Sequence, residues 1–278
     1  MSELKRIPLA GVIGSPIAHS KSPRIFRHWL TELGVIGHYV PMDIASVDLN
    51  DALRYLPKLG FVGVNITIPY KEHVLNVADQ VSDRAAVVGS ANTLTFLADG
   101  KIYADNTDGY GFTENLRHGA PNWKASDGPA AVLGAGGAAR AVIASFIEGG
   151  APEIRLANRT RSRANALQRE FGTKVKVFDW VQAGNMLEGA ATVVNATSLG
   201  MVGNAEMRIP LDGLSRDAVV TDLVYAPLET ALLEHAKSIG CQTVDGLGML
   251  LHQAVPGFER WFGMRPVVTE PLRSAMLI

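Results

Sequence analysis

The chain has 278 residues, of which 47% are hydrophobic and 19% charged, with a formal net charge of −1 at pH 7. This composition is typical of a compact globular protein and excludes an intrinsically disordered one. The charges lack the basic excess of a nucleic-acid-binding protein, and no apolar stretch reaches the roughly 18 residues of a membrane span. A small molecule is therefore the expected partner, with no nucleic acid and no membrane.

Cysteine and histidine usage narrows the class further. The single cysteine, Cys241, has no second thiol to pair with, which is typical of proteins from a reducing cytoplasm. The seven histidines are scattered without the spacing of metal ligands, so no metal site is predicted. The N-terminal residues contain no apolar core of the length that a signal peptide has. We expect a soluble, cytoplasmic enzyme, either a monomer or a homodimer.

Residues 1–105 alternate predicted strands with predicted helices. The strands are Ile7–Ile13, His38–Asp43, Val64–Ile68 and Ala91–Leu97, and the helices are Pro23–Leu33, Val47–Leu56 and Tyr70–Val77. Alternation of this kind predicts a mostly parallel sheet flanked by helices. The polar, turn-rich segment 105–109 begins the passage out of this first unit.

Two serines, Ser20 and Ser22, follow the first predicted strand. If the chain is extended there, side chains at positions i and i+2 project to the same side, and both hydroxyls would face one carboxylate ligand. The alternative for Ser22 is structural, because a serine before Pro23 is typical of a helix N-cap. For the pair by itself, the binding role and the structural role are equally supported.

The segment NITIPYK at 65–71 places polar side chains beside a candidate acid/base lysine. Asn65 and Thr67 lie on one face of the predicted strand Val64–Ile68, opposite its apolar side chains. Lys71 is predicted in the first turn of the next helix, where the helix dipole favours the neutral amine that acid/base catalysis requires. The alternative is a surface lysine beside a half-buried strand.

More amides, hydroxyls and a carboxylate follow later, at Asn92-Thr93 and at Asn106-Thr107-Asp108. Small polar groups at strand ends suit the oriented recognition of a polyhydroxylated ligand. Asn and Asp near glycine are also ordinary turn formers, so each of these taken singly is also consistent with a turn.

A second α/β series follows a turn-rich break at residues 119–129. Its predicted strands are Ala130–Leu133, Ile154–Ala157, Lys174–Phe178, Thr192–Asn195 and Val219–Leu223. The loops at the ends of the last two, 195–201 and 222–225, are expected to border the cofactor, since ligands of open parallel sheets bind outside the strand ends. The first of these strands runs into a glycine turn, GAGGAAR at 134–140, which opens directly into a predicted helix over 138–148. A Rossmann βαβ unit presents backbone N–H groups to a dinucleotide pyrophosphate in this way. The candidate positions are Gly134, Ala135, Gly136, Gly137 and Ala138.

The residues after the second strand of this series indicate which dinucleotide binds. An NAD-binding strand ends in Asp or Glu, whereas this one is followed by Asn158-Arg159-Thr160 and then by Arg163. A carboxylate would repel the 2′-phosphate of NADP, and a guanidinium can bind it in bidentate fashion. The sequence therefore predicts NADP, against the alternative of a solvated basic helix start.

The last part of the chain begins with a glycine-containing loop at 245–249 and continues as a helical stripe over Met249–Phe262, interrupted by Pro256. The loop glycines could allow close approach of a nicotinamide ring, and the alternative is an ordinary loop. By analogy with known folds, we expect this segment to pack on the first domain. The expected domains are 1–105 plus 245–278, and 106–244.

Eight segments in the observed order resemble the shikimate dehydrogenase family over nearly the whole chain. They are GSPIAHSKSP at 14–23, NITIPYK at 65–71, SANT at 90–93, DNTDG at 105–109, GAGGAAR at 134–140, NRT at 158–160, NAT at 195–197 and DGLGML at 245–250. The resemblance implies two α/β domains across a cleft. One would be a mostly parallel-sheet substrate domain and the other a Rossmann-type NADP domain.

The resemblance also implies roles for individual residues. Lys71 would be the acid/base group with Asp108 beside it, and Ser20 and Ser22 would hold the substrate carboxylate. The other implied substrate-binding residues are Asn65, Thr67, Asn92, Tyr225 and Gln253. Cofactor contacts beyond the glycine turn and the segment 158–163 would be Asp83, Leu223 and Gly246. The family often has Met where Leu223 stands, and Ala where Ser90 stands, and neither change weakens the resemblance.

The activity implied is the reversible, NADPH-dependent reduction of 3-dehydroshikimate to shikimate in aromatic amino acid biosynthesis. Two alternatives remain open at this point. One is a quinate/shikimate dehydrogenase of broader substrate or cofactor use, which often takes NAD and carries an acidic residue near position 158. The other is a non-catalytic NADP-binding regulator, against which the presence of both Lys71 and Asp108 argues.

Overall fold

The computed structural model describes residues 7–277. Contacts between Cα atoms divide the chain into two compact units, the first comprising the chain up to Thr107 and from Gln253 onward, and the second comprising Asp108–His252. Each unit is an α/β structure built on one six-stranded sheet. No helix within residues 7–277 is both long enough and apolar enough to cross a membrane.

Helices and strands alternate along most of the chain. The first unit begins with β1 (Leu9–Gly14), α1 (Ser22–Glu32), β2 (His38–Asp43), α2 (Leu49–Tyr55), β3 (Phe61–Ile66), β4 (Gln80–Val81), α3 (Asp83–Val88), β5 (Thr93–Phe96) and β6 (Ile102–Asp105). The second unit contains α4 (Asp108–Gly119), β7 (Ala130–Leu133), α5 (Gly137–Glu148), β8 (Ile154–Ala157), α6 (Arg161–Phe171), β9 (Val175–Phe178), β10 (Thr192–Asn195), β11 (Val219–Asp222), α7 (Ala231–Ser238), β12 (Gln242–Val244) and α8 (Leu247–His252). The chain then returns to the first unit with α9 (Val255–Phe262) and α10 (Glu270–Ala275).

The first sheet has the order β2-β1-β3-β5-β6-β4 and is mostly parallel, with β5 running antiparallel to both of its neighbours. Because β5 runs in the opposite direction, it starts at the edge where β3 and β6 end. Thr93, its first residue, lies opposite Asn65 on one side and Asp105 on the other. One edge of this sheet therefore collects the polar segments that follow β1, β3 and β6 and that precede β5.

Helix α9 packs on β3 and β5 and supplies one side of an aromatic cluster. Phe258 lies 5.6 Å from Phe26 and 5.4 Å from Trp29, measured between ring centroids. The indole of Trp261 lies directly over Gly63, where a Cβ atom would be only 2.0 Å from Trp261 Nε1. The glycine in β3 is therefore required by the packing of α9 on the sheet.

The second sheet is entirely parallel and has the order β12-β11-β10-β7-β8-β9. This is the doubly wound order, in which the direction of strand addition reverses next to β7. Ligands of such sheets bind outside the carboxyl ends of the strands at that reversal. The predicted bounds of β7, β8 and β10 agree with the structure, and those of β9 and β11 differ by one residue at one end.

The predicted helix Tyr70–Val77 is wrong. Strand β3 ends at Ile66, and a turn then leads to a single 3₁₀ turn over His73–Asn76. The Lys71 carbonyl accepts a hydrogen bond from the Ala91 N–H, at 2.8 Å, and is therefore not part of a helical ladder. The argument that a helix dipole acts on Lys71 fails with this helix.

The boundaries between the two units lie at other sequence positions than those expected. The first boundary lies after Thr107 because α4 begins at Asp108, within a segment interpreted as turns. The second lies after His252 because α8 packs against α4 in the second unit. A Cβ atom on Gly248 would be 1.8 Å from Asn115 Oδ1, which shows how closely α8 approaches α4. The short elements β4, α3, β6 and β12 have no counterpart among the predicted elements.

Candidate active site

The loops after β1 and β3 contact each other at the carboxyl edge of the first sheet. The Thr67 N–H donates to the Ile13 carbonyl at 2.9 Å, and the Ser15 N–H donates to the Ile68 carbonyl at 3.3 Å. A Cβ atom on Gly14 would be 2.6 Å from Thr67 Cγ2, so the loops fit together only with glycine there. This contact brings the segment with Ser20 and Ser22 to the same edge as the segment with Thr67 and Lys71.

The extended conformation expected between Ser20 and Ser22 is wrong. Lys21 has helical dihedral angles, φ −82° and ψ −11°, so the two side chains do not project together as they would from a strand. Ser20 Oγ instead accepts a hydrogen bond from the Ser22 N–H, at 3.3 Å. It thereby satisfies one of the amide groups that a helix start leaves open. The structural role expected of Ser22 is thus performed by Ser20, and Ser22 is the buried first residue of α1.

Tyr39 connects Ser22 with Asn65, a connection that the sequence did not indicate. The Tyr39 hydroxyl donates to Asn65 Oδ1 at 2.8 Å, and its ring stacks on Phe26 at 3.8 Å between centroids. Burial raises the pKa of Tyr39 well above its usual value, and a hydrogen bond with Ser22 opposes this shift. The tyrosine is therefore a neutral hydrogen-bond donor at physiological pH.

The amide of Asn92 lies at the centre of a buried network at this edge. Its Oδ1 accepts from Thr93 Oγ1 at 3.0 Å and from the Thr107 N–H at 2.9 Å, and its Nδ2 donates to Gln253 Oε1 at 3.0 Å. Asn65 Nδ2 donates to the Asn92 carbonyl at 3.0 Å and to Thr93 Oγ1 at 3.2 Å. The predicted substrate ligands Asn65, Asn92 and Gln253 therefore belong to one hydrogen-bonded set within the first unit.

A buried carboxylate, Asp105, holds the end of β6. It accepts hydrogen bonds from Ser82 Oγ at 2.7 Å and the Asn106 N–H at 2.8 Å, and from two guanidinium groups, Arg84 at 3.0 Å and Arg260 at 3.2 Å. Burial raises the pKa of this carboxyl, but the Ser82 hydrogen bond and the two arginine charges outweigh it, so the pKa lies below its usual value. This group fixes the backbone that leads into Asn106 and Thr107.

The two predicted catalytic residues, Lys71 and Asp108, belong to different units of the chain. Lys71 is partly buried in the turn after β3, in the first unit. Asp108 is the buried first residue of α4, in the second unit, where the positive end of the helix dipole stabilises a carboxylate. Tyr225 is partly exposed and follows β11 in the second unit.

The second unit contains a pocket of about 780 Å³ at the carboxyl ends of β7, β8 and β10. It is lined by Gly134, Ala135, Gly136, Asn158, Arg159, Arg163, Trp180, Ala196, Thr197, Ser198, Leu199, Ala205, Glu206 and Arg208. Gly134 has φ +110°, and a Cβ atom there would be 2.8 Å from the Ala196 carbonyl oxygen. Gly136 and Gly137 instead have open space where Cβ atoms would stand, so packing does not require glycine at these two positions. We name this the glycine-turn pocket.

Asn158 joins two walls of the glycine-turn pocket. Its Oδ1 accepts from the Ala135 N–H at 3.1 Å, and its Nδ2 donates to the Thr160 carbonyl at 2.8 Å. Asn158 stands where NAD enzymes have a carboxylate, and its side chain links the glycine turn to the loop after β8 by hydrogen bonds. This structural role was not among those predicted for it.

The arginines that line the glycine-turn pocket differ from Arg161 and Arg140 in whether their side chains form ion pairs. Within residues 7–277, no hydrogen bond or ion pair involves the side chain of Arg159, Arg163 or Arg208. The adjacent Arg161 is paired with Asp179, and Arg140 with Glu170. Unpaired guanidinium groups and backbone N–H groups around a pocket of this size are a donor set that fits a dinucleotide with an additional phosphate.

Several predicted cofactor residues lie outside the lining of this pocket. Gly137, Ala138 and Thr160 flank it along the chain. Leu223 and Gly246 contact each other, because a Cβ atom on Gly246 would be 2.5 Å from the Leu223 carbonyl oxygen. Packing alone therefore requires that glycine, which is the ordinary-loop interpretation. Asp83 is the exposed first residue of α3 in the first unit.

Thr197 and Ser198 lie in the loop 195–201 after β10, which was expected to border the cofactor, and both line the glycine-turn pocket. The sequence interpretation missed three polar or aromatic residues of the lining, Trp180, Glu206 and Arg208. No motif or strand end indicated these three. Among residues 7–277, no group of three or more His, Cys, Asp or Glu side chains could hold a metal ion.

The parallel sheet of reversed strand order, the glycine turn and the arginine-lined pocket define a dinucleotide-binding α/β protein. Family models match three parts of the chain: the shikimate dehydrogenase substrate binding domain at 12–94, shikimate / quinate 5-dehydrogenase at 120–211, and the shikimate 5′-dehydrogenase C-terminal domain at 246–277. The chain belongs to the shikimate dehydrogenase family.

Individual relatives agree with this assignment. A shikimate dehydrogenase (NADP(+)) of Cereibacter sphaeroides is 67% identical over 277 residues, covering 100% of this chain and 99% of the relative. The structure of Thermus thermophilus shikimate 5-dehydrogenase with NADP(H) and shikimate is 36% identical, with a TM-score of 0.85, and covers 98% of this chain and 99% of that one. The quinate dehydrogenase of Corynebacterium glutamicum with NAD is 33% identical, with a TM-score of 0.90 and the same coverage.

Proposed function

We propose that this protein catalyses the reversible, NADPH-dependent reduction of 3-dehydroshikimate to shikimate in the biosynthesis of aromatic amino acids. The family membership and the NADP(+)-dependent relative at 67% identity support the activity. The observation that carries the cofactor choice is the pair of unpaired guanidinium groups, Arg159 and Arg163, lining the glycine-turn pocket beyond β8. No carboxylate occupies that strand end to repel a 2′-phosphate.

The proposed substrate ligands lie mainly at the edge of the first sheet. Ser20 and Ser22 hold the carboxylate, and the proposed ligands of ring hydroxyls are Asn65, Thr67, Asn92, Gln253 and Tyr225. The hydrogen bonds around Asn92 and Asn65 support this assignment, because they fix several polar side chains in one arrangement before substrate enters. Such preorganisation reduces the entropy that binding must overcome.

The proposed chemistry divides between the cofactor and two side chains. Bound NADPH supplies a hydride to the ring ketone of the substrate. Lys71 donates a proton to the oxygen of that ketone as it becomes an alkoxide, and takes the proton back from the hydroxyl in the reverse direction. Asp108 is the second proposed catalytic residue and accepts a hydrogen bond from a substrate hydroxyl. The proposed cofactor residues are the glycine turn 134–138, Asn158, Arg159, Thr160, Arg163, Asp83, Leu223 and Gly246.

Replacing Arg159 with alanine is expected to weaken NADP binding by about 1.5–3 kcal/mol, since a charged hydrogen bond to the 2′-phosphate is lost. NAD has no such phosphate, so its KM should change little. Steady-state kinetics of shikimate oxidation with each cofactor measures both quantities. Equal losses of affinity for NADP and NAD would show that Arg159 does not bind the 2′-phosphate.

The activity itself is tested by absorbance at 340 nm with purified protein, shikimate and NADP. We expect kcat/KM to be highest for the combination of shikimate with NADP, among the four combinations of shikimate or quinate with NADP or NAD. The similarity to a quinate dehydrogenase that binds NAD makes the broader enzyme the alternative, and comparable values for quinate would establish it. Absence of turnover with every combination would leave the non-catalytic regulator.

On this proposal, the protein binds a small-molecule substrate and does not bind nucleic acid. The near-neutral charge balance supports that part, and the single, buried Cys241 supports a cytoplasmic location. Burial and the nearby negative charge of Asp217 raise the pKa of the Cys241 thiol, which keeps it unreactive.

A further inference from the structure

Arg208 lies outside every motif that connects this chain with its family, yet its side chain lines the glycine-turn pocket together with Arg159 and Arg163. We propose that Arg208 is a specificity-determining residue that binds the 2′-phosphate of NADP from the loop after β10, on the other side of the pocket from the NRT segment. This inference rests on the proposed use of NADP.

The loop that carries Arg208 is held by one backbone hydrogen bond within itself and by another to the segment after β11. The Gly200 N–H donates to the Ala205 carbonyl at 2.8 Å, and the Val202 N–H donates to the Ala226 carbonyl at 2.8 Å. At its base, Asn195 Nδ2 donates to the Leu199 carbonyl at 3.1 Å and to Asp222 Oδ1 at 2.9 Å. These bonds fix the loop as far as Ala205, three residues before Arg208, and so hold the segment with Arg208 beside the pocket that it lines.

The charges of the glycine-turn pocket do not cancel. Its lining holds three guanidinium groups and one carboxylate, Glu206. Arg159 and Arg163 can account for one face of a phosphate monoester, which carries about −1.5 to −2 charges at pH 7 and three acceptor oxygens. Arg208, which makes no side-chain hydrogen bond or ion pair within residues 7–277, supplies the remaining donor group and brings the charge of the pocket close to that of the ligand with opposite sign.

The 2′-phosphate is favoured over the pyrophosphate as the target of Arg208. The pyrophosphate of a dinucleotide is bound by the backbone N–H groups of the glycine turn and by the start of α5, and it needs no arginine. Arg159 and Arg163, which share the pocket with Arg208, follow β8, where the adenosine ribose binds in this fold.

The test compares Arg208→Gln with the matched control Arg216→Gln. Arg216 is also exposed and unpaired within the described residues, but it does not line the pocket. Calorimetry measures the binding of 2′,5′-ADP, which has the phosphate, and of 5′-AMP, which lacks it. We expect the Arg208 variant to bind 2′,5′-ADP about tenfold or more weakly, with 5′-AMP unchanged and the control unaffected for both ligands.

Two results would overturn the inference. One is an unchanged affinity for 2′,5′-ADP, and the other is an equal loss for 2′,5′-ADP and 5′-AMP, which would assign Arg208 to the part shared by both nucleotides. Thermal denaturation of the variant excludes misfolding as the cause of a loss. Because these ligands need no turnover, failure of the proposed shikimate oxidation is detected separately, in the 340 nm assay of the unmodified protein.

Discussion

Replacing Lys71 with alanine is expected to lower kcat for shikimate oxidation by about 10²–10⁴-fold, with a much smaller change in KM. The variant lacks the group that exchanges a proton with the reacting oxygen in the transition state, whereas the proposed ground-state ligands of the substrate remain. Stopped or continuous assays at saturating shikimate and NADP measure kcat directly. The affinity for NADP, for which Lys71 is not a proposed ligand, should stay within about twofold.

The matched control for this variant is Lys58→Ala. Lys58 is an exposed lysine of the same unit that is not among the proposed ligands, and its ammonium group lies 4.7 Å from the ring centroid of Tyr55. Its kcat should equal that of the unmodified protein. Near-normal turnover of the Lys71 variant would remove Lys71 from the mechanism, and an equal loss in the two variants would indicate an unspecific effect.

The catalytic role of Lys71 is a prediction from the sequence, and the helix on which it was first argued is wrong. A lysine in the first turn of a helix was expected, and the structure has a turn in which the Lys71 carbonyl pairs with Ala91. The apolar pattern over 70–77 is short, and short patterns are compatible with a helix, a 3₁₀ turn or a loop. The partner that decided the outcome, Ala91, is far away in sequence, so no local pattern could indicate it.

Five of the six strands of the second sheet were predictable because their signals are local. Strands buried on both faces read as continuous apolar runs, and the glycine turn follows the first of them directly. The first sheet was harder, because β4 has only two residues and because the position of β5 between β3 and β6 depends on pairings between distant segments. Without that order, the sequence could not show that Asn65, Asn92 and Thr107 share one hydrogen-bonded network.

The same limit applies to individual side chains. Tyr39, Asp105 and Arg208 are all far in sequence from the groups that they contact or accompany. For Ser20 and Ser22 the spacing was read correctly, but the backbone between them is helical, so the i, i+2 rule for strands did not apply. Motifs thus indicated which segments matter, and tertiary structure decided what each side chain does.

Replacing Asp105 with asparagine is expected to lower the free energy of unfolding at pH 7 by about 3 kcal/mol. The Asp105 side chain is completely buried, and its loss leaves the positive charges of Arg84 and Arg260 without their partner. Both arginine side chains are partly exposed, 53% and 32%, so water can solvate them and the cost stays at the lower end of that for broken buried pairs. Urea denaturation measures the change. The control Asp51→Asn, which removes an exposed ion pair with Arg54, should cost about 0–1 kcal/mol.

The dependence of this difference on pH identifies its electrostatic origin. The pKa of Asp105 is lower in the folded protein than the value of about 3.9 expected for an unfolded chain, because Ser82 and the two arginines outweigh the effect of burial. Its charge therefore stabilises the fold above pH 4, and this contribution is lost as the pH falls through the lowered folded-state pKa. The gap between the unmodified protein and Asp105→Asn should be constant from pH 8 to pH 5 and should narrow below pH 4. A gap that persists unchanged at the lowest pH at which both proteins fold would mean that shape and hydrogen bonding, not charge, make Asp105 necessary.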